Sequence, residues 1–340
     1  MYSVTPNFSL HSVRELIEDN KELVLGKFLR DENISKDAVI ESTINNLSRL
    51  ICREDVSRLA LIDNKETIKG VMIVERSKWD TEILGLDIGR VAFVLFRSDT
   101  NVTERRILIE ESLKTSVRKG IKLVFSRVPL NDLLTINAIQ KEGSTFVDNL
   151  LTYYVNPRQI VIPKVELSNV RTVKAGESDA NALSEIAREA FRMSHFHADS
   201  KLPRNRCDEL YVKWVLNCLH GLADTVLAAQ KNSKIVGFIT CKINNIDQKN
   251  SYGVIDLIGV SREHRREKIG LLLLSEALKW FSKRTRSVYV GTQDVNIPAI
   301  RLYEKARFRL TFPMATFHHH LTGKPAHLRR SSLSPVADDP

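Results

Sequence analysis

Residues Val254–Phe308, VIDLIGVSREHRREKIGLLLLSEALKWFSKRTRSVYVGTQDVNIPAIRLYEKARF, decide the architecture. A β-rich run over Val254–Val260 enters a short basic turn, and the turn opens an apolar-periodic helix over Ile269–Lys283. A strand over Ser287–Thr292, a helix over Asn296–Lys305 and a last strand reaching about His320 follow. A turn that opens a helix presents unpaired backbone N–H groups and the positive end of the helix dipole, which together suit an anion. Arg265, Arg266 and Lys268 crowd that same end. Such a cluster is usually a solvated face, but the dipole disfavours cations there, so their presence asks for an anion to explain it.

Outward from this core the same alternation recurs. Ser12–Leu29 and Lys36–Leu50 carry three- and four-residue apolar spacing and read as helices. Arg58–Ile62 and Ile68–Val74 read as a hairpin, and Trp79–Phe96 ends in the strand-like VAFVLF. A helix is expected over Thr103–Lys119 with Thr103 as its cap, then a strand over Ile121–Val128, a helix over Asn131–Lys141 and a strand over Phe146–Val155. Asn156–Asn169 holds two prolines and no helical period, so it reads as a linker. The pattern restarts with a strand at Val170–Lys174, a helix at Glu177–Phe191, an irregular polar loop at Ser194–Asn205 and a helix at Cys207–Leu219. Strands at Thr225–Gln230 and Lys234–Ile243 complete it. The segment from Lys122 can be laid against the segment from Ser287, strand for strand and helix for helix, with Asn131 opposite Asn296. The expected organisation is a first module over 1–156, a linker over 157–169, a second module over 170–321 and a disordered tail over 322–340. The fold class is mixed α/β.

Composition narrows the function. In 340 residues, 43% are hydrophobic and 27% charged, which excludes global disorder and a disulfide-stapled miniprotein. The four cysteines, Cys52, Cys207, Cys218 and Cys241, form no C-x-x-C pair and fit a reducing compartment. No leader-like start and no apolar run long enough for a bilayer is evident, so a soluble, cytoplasmic protein is expected, without a membrane partner. The formal charge is +10. Residues 261–310 contain twelve Lys/Arg against five Asp/Glu, so most of the surplus sits around the basic turn. That is a local field for phosphates rather than a general basic character.

The decisive segment resembles the acetyl-CoA site of the GNAT superfamily of acyl-CoA N-acyltransferases. The family's [QR]-x-x-G-x-[GA] turn is met by Arg265-Arg266-Glu267-Lys268-Ile269-Gly270, with Lys268 in place of the first glycine. Its N-x-x-A-x-x-L-Y-x-K-x-G-F signature is met by Asn296, Ala299, Leu302, Tyr303, Lys305 and Phe308, with Arg307 in place of glycine. The resemblance implies a GNAT fold in the second module, preceded by a degenerate GNAT-like module that lacks the phosphate turn. It implies acetyl-CoA as co-substrate, held by Ile258, Gly259, Val260, Arg265, Arg266, Lys268, Ile269, Gly270, Asn296 and Ala299. Tyr303 is implied to protonate the leaving thiolate, whereas its first-module counterpart, aligned at Ala138, has no proton to give. Asn296 and Tyr303, seven apart, share one helix face.

Ala187–Thr240 and the Trp79–Gly85 stretch further resemble a sugar-modifying branch of that superfamily, the dTDP-fucosamine (dTDP-4-amino-4,6-dideoxygalactose) N-acetyltransferases. This implies an amino-sugar acceptor, nucleotide-linked, contacted by Trp79, His195, His197, Asp199, Tyr211, Trp214 and Gln293. A protein or small-molecule amine is the alternative acceptor, and a non-catalytic CoA sensor the alternative class. The general base stays open between His197, a water chain and Asp256, the last discounted as an inward polar group. Of His318–His320, only His318 and His320 share a strand face; with no carboxylate near them in sequence, no metal is expected. No nucleic-acid partner is expected, and the reading leaves room for a homodimer.

Overall fold

The computed structural model describes residues 2–321. The first half runs β1 (Ser3–Thr5), α1 (Leu10–Glu18), α2 (Lys21–Leu25), α3 (Lys36–Ile51), β2 (Val56–Ile62), β3 (Ile68–Arg76), α4 (Lys78–Leu84) and β4 (Ile88–Phe96). It continues with α5 (Val102–Arg118), β5 (Leu123–Pro129), α6 (Leu133–Lys141) and β6 (Thr145–Val155). The second half runs β7 (Val170–Lys174), α7 (Ala180–Ala190), α8 (His195–Ala198), α9 (Arg204–Asn217), β8 (Thr225–Lys231) and β9 (Lys234–Asn245). After these come β10 (Ser251–Ile255), β11 (Ile258–Val260), α10 (Ile269–Ser282), β12 (Val288–Gln293), α11 (Ile297–Lys305) and β13 (Arg309–His320).

Local chemistry accounts for the boundaries that differ from expectation. The helix expected over Ser12–Leu29 is broken twice, at Asn20 and at Gly26, whose φ of 49° is one that L side chains rarely adopt. α5 begins one residue earlier than expected, because Asn101 rather than Thr103 caps it in a reciprocal capping box with Glu104. The loop expected over Ser194–Asn205 contains α8, capped by the Ser194 hydroxyl. The tail over 322–340 lies outside the described residues.

All strands except β11 join in one path, β1-β2-β3-β4-β5-β13-β6-β12-β10-β9-β8-β7, with β11 paired to β9. The two halves exchange their last strands. β6 of the first half pairs with β12, β13 of the second half pairs with β5, and β6 and β13 pair with each other at the centre. The strand–helix–strand likeness is therefore a structural duplication, and neither half's sheet is complete without the other. Irregular backbone over 156–169 carries the chain from β6 to β7.

Register divides the sheet into two faces. Ala315 pairs with Asn149, and Tyr153 and Val155 lie an even number of residues further along β6, so all of them face one side. That side carries α5 and α6 over the first half and α10 and α11 over the second. α10 is apolar nearly all round because it is enclosed; Leu273, Leu274, Ala277, Leu278 and Phe281 have no exposed surface. Gly253 is required beneath it, since a Cβ there would stand 2.5 Å from the Phe281 ring. The other face is covered at its flanks by α1–α3 and by α4, α7, α8 and α9. No helix of the described residues is long and apolar enough to cross a membrane.

Candidate active site

β10 and β12 run parallel and pair only over Gly253–Ile255 and Val288–Val290. Beyond that point β11 pairs with β9, while the end of β12 pairs with β6. The two strands thus part, leaving the inner edges of Ile258–Val260 and Gly291–Gln293 without a strand partner among the described residues. Unpaired backbone in a wedge can take up the amides of an extended ligand arm. At the mouth of the wedge stands the N-terminus of α10, which has no side-chain cap. Arg265, Arg266 and Lys268 are exposed around it. Lys268, at the N-cap, adopts the left-handed conformation with φ 62°, and Arg266 has φ 67°. Arg307, the other departure from a family glycine, has φ 67°. Both substituted positions keep the glycine backbone geometry at a steric cost. Gly270 occupies the first turn of α10, beside Leu302.

α11 closes the other side. Asn296 caps it, accepting from Ala299 N–H and donating to Thr292 Oγ1, so its side chain is spent on positioning the helix. Tyr303 is 3% exposed, packed between Tyr153 and Phe308, and its hydroxyl bonds to no described residue. Burial pushes its phenol pKa up, so the proton is retained until a strong base appears beside it.

The uncovered face lies in front of the central strands. Asp256 lies between β10 and β11, directly after β10 parts from β12; burial raises its carboxyl pKa, against the pull of Lys242 and Lys27. No side-chain hydrogen bond ties it to a described residue. Lys27, from the first half, lies over the rings of Tyr252, Phe28 and Tyr289 at 4.6, 4.9 and 5.1 Å. Burial lowers its pKa to about 8. Asp31 accepts from the Tyr289 hydroxyl at 2.5 Å and pins this segment against β12. Gln293 lies on the same face, opposite Leu150. Tyr211 stacks between Phe191 and Trp214, and Trp79 on α4 is 37% exposed.

The histidine segment departs from expectation. His195, His197 and Asp199 are buried rather than displayed on a loop. His197 has both ring nitrogens engaged, with Ser194 Oγ at 2.8 Å and Asp208 Oδ1 at 2.9 Å. It is a structural tie between α8 and α9, with no ring nitrogen left for an acceptor or a proton. His195 Nδ1 meets His318 Nε2 at 2.9 Å, and burial holds its pKa well below the usual histidine value, keeping it neutral. Asp199 Oδ2 lies 2.7 Å from His318 Nδ1 and 2.6 Å from His320 Nε2. Burial alone would raise the Asp199 pKa, but the histidine bonds outweigh it and hold the carboxyl low. The carboxylate that sequence proximity did not supply thus arrives from the C-cap of α8, 119 residues from His318. These three side chains could gather round an ion, their ligand atoms lying within 4.8 Å of one another. As they stand, one carboxylate oxygen satisfies both rings.

Sequence reading missed Lys27, Arg127 and Asp148 on this face and set Asp256 aside. Only the strand exchange brings the first three to the centre, and no spacing announces it.

A splayed parallel strand pair, an uncapped basic helix start and a phenol behind the wedge are what an acyl-CoA-dependent acyltransferase site requires. The model of the acetyltransferase (GNAT) family matches residues 180–308. The spore coat polysaccharide biosynthesis protein SpsD of Bacillus subtilis is 27% identical over 294 residues, covering 85% of this chain and 96% of that one. Among solved structures, a GCN5-related N-acetyltransferase from Sphaerobacter thermophilus superposes with a TM-score of 0.63 at 13% identity, over 94% of this chain and 95% of that chain. A tandem GNAT protein from the clavulanic acid biosynthesis pathway gives 0.55 at 12% identity, over 94% and 98%. Residues 180–308 are an acyl-CoA-dependent acetyltransferase domain of the GNAT family, and over most of the chain the fold is tandem GNAT-like.

Proposed function

We propose that the protein transfers the acetyl group of acetyl-CoA to the amine of an amino sugar, nucleotide-linked, by direct attack within a ternary complex. The observation that carries the donor half is the open wedge: α10 and α11 make few direct contacts, whereas α5 and α6 pack together in the first half. Acetyl-CoA fits it, with the free edge of Ile258–Val260 for the pantetheine arm and the N–H groups of Ile269 and Gly270 for the pyrophosphate. Arg265, Arg266 and Lys268 add charge to that hold, while Asn296 and Ala299 set the helix that carries Tyr303.

Acetyl-CoA supplies an activated thioester, so no covalent acyl-enzyme is required. The residues have three tasks: position the amine, remove its proton and protonate the departing sulfur. Asp256 is the base this geometry favours, being half-buried, free of side-chain bonds and situated where the strands part. Tyr303 is the acid, its proton held by burial. For the sugar, support comes from the similarity to a spore coat polysaccharide protein along most of both chains. Trp79, Tyr211, Trp214, Gln293 and His195 are the acceptor-side groups; His197 and Asp199 act behind them.

An acceptor panel tests the reading: dTDP-4-amino-4,6-dideoxy sugars, polyamines and lysine peptides, each followed by CoA thiol release. Turnover confined to amino sugars supports it; turnover of polyamines or peptides alone overturns it. Tyr303→Phe is expected to lower kcat by about 100-fold or more with acetyl-CoA binding unchanged. An unchanged kcat removes Tyr303 as the acid.

A further inference from the structure

On the uncovered face, Arg127 of β5 pairs with Thr316 of β13, and Thr316 pairs with Asp148 of β6. The three form one row across the strand exchange, about 10 Å from end to end. Asp148 is 5% exposed, and neither of its oxygens has a hydrogen-bond partner within 3.5 Å. Arg127 Nε and Thr316 Oγ1 are buried and likewise have no partner within 3.5 Å; the Thr316 hydroxyl lies near enough to Asp148 only to draw its carboxyl pKa down against the larger effect of burial. The charges of Arg127 and Asp148 sense each other without forming a close ion pair. Such orphaned atoms are costly in a folded protein and call for a ligand. Tyr211, His195, His318, Asp80, Arg90 and Asp294 all act on the row electrostatically. The next row towards the wedge is Met314, Leu150 and Gln293. It lies two residues away, about 7 Å.

We propose that Arg127 and Asp148 form an acceptor subsite that binds hydroxyl groups of the sugar ring; this rests on the amino-sugar reading and specifies how the ring is recognised. The carboxylate can only accept and the guanidinium can only donate. A hydroxyl does both, so neighbouring hydroxyls satisfy the pair together. An ammonium would serve Asp148 but oppose Arg127, and a phosphate would serve Arg127 but oppose Asp148. The row is neutral as a whole, so it selects a neutral polyhydroxylated group over a polyamine, a lysine chain or the nucleotide phosphates. The amine then projects towards Gln293 and the wedge.

The test is steady-state kinetics with acetyl-CoA and dTDP-4-amino-4,6-dideoxygalactose, read by CoA thiol release, on the wild type, Asp148→Asn and Arg127→Gln. Each variant is expected to raise the acceptor KM about 10- to 100-fold, as loss of a hydrogen bond to a charged group does, with acetyl-CoA KM unchanged. Thermal midpoints without ligand should change little, because the desolvation cost of the unsatisfied group that is removed offsets the loss of its longer-range attraction to the other charge. A merely structural pair would lower the midpoint and disturb both KM values. If either variant fails to fold, Thr316→Val, close in shape, is expected to raise the acceptor KM about threefold or more. Turnover of no amino sugar by the wild type overturns both readings. Amino-sugar turnover with acceptor KM within twofold in every folded variant overturns the subsite alone.

Discussion

The two halves repeat one motif, β5–α6–β6 against β12–α11–β13, and differ in what fills the space between their helices. Both parallel strand pairs part after three residues: β4 and β5 pair only over Ile88–Arg90 and Leu123–Phe125. In the first half the resulting wedge is shut. Arg105, 4% exposed, bonds Thr100 Oγ1 at 3.1 Å, Asp132 Oδ1 at 2.6 Å and Thr135 Oγ1 at 2.7 Å, joining α5 to α6. Its guanidinium also covers the Phe96 ring at 5.0 Å. The α5 N-terminus is sealed by its own capping box, where α10 leaves its N–H groups free. Counted from the helix caps Asp132 and Asn296, the position of Tyr303 falls on Ile139, one residue beyond the sequence alignment at Ala138. Either residue is hydrocarbon. One scaffold thus leaves a wedge open in the second half, where the proposed site lies, and closes it in the first with an internal cation and a cap.

The sharpest way to break this contrast is to remove the base from the open wedge. Asp256→Asn should lower kcat by about 100- to 10,000-fold while acetyl-CoA still binds. The raised carboxyl pKa fixes the sign of the pH effect. The base works when ionised, so kcat/KM falls as pH drops through that pKa, and the acidic limb lies above the ordinary carboxylate value of about 4. The wild-type pH profile should show the limb, and Asp256→Asn should abolish it. A limb that persists in the variant assigns the proton to another group.

The closed wedge gives the next test. Arg105→Ala leaves the partly buried Asp132 without its cation and should cost about 3 kcal/mol in urea unfolding. If the first half is only a support, acetyl-CoA KM stays unchanged in the surviving folded protein. A change in acetyl-CoA KM comparable to that caused by wedge residues would make the first half part of the donor site.

How far the residues foretold this division depended on range. Period, caps and turns are local, so α3, α10, α11 and the strand–helix–strand repeat were legible, as was the basic turn of residues 265–270 that opens α10. The strand exchange was not: its pairings join residues such as Arg127 and Thr316, brought together only by the complete sheet. The same distance hid the carboxylate beside His318 and His320, since Asp199 stands at the C-cap of α8. His197 was misplaced for a related reason, because its partner Asp208 becomes a neighbour only when α8 folds against α9. Asp256 was visible but set aside; an acid in a strand reads as an inward polar group until the strand is seen to end at the fork.

The smallest expected effect concerns the residue that most departs from the family turn. Lys268 holds φ 62° at the start of α10, a conformation that costs an L residue about 1–2 kcal/mol. Glycine removes that cost but loses more freedom on folding, by about 0.4–1 kcal/mol. Lys268→Gly should therefore stabilise the protein by about 0.5–1 kcal/mol in urea unfolding, the difference between these two terms. The same change removes one exposed ammonium from the pyrophosphate end, so acetyl-CoA KM should rise a few-fold at low salt, and the rise should fade as ions screen the site. Stability gained without any salt-dependent change in KM would mean that the backbone N–H groups alone hold the phosphates and that Lys268 is only a strained substitute for glycine. The paired gain and loss would mean that the open wedge accepts backbone strain in exchange for charge, a trade with no counterpart at the sealed start of α5.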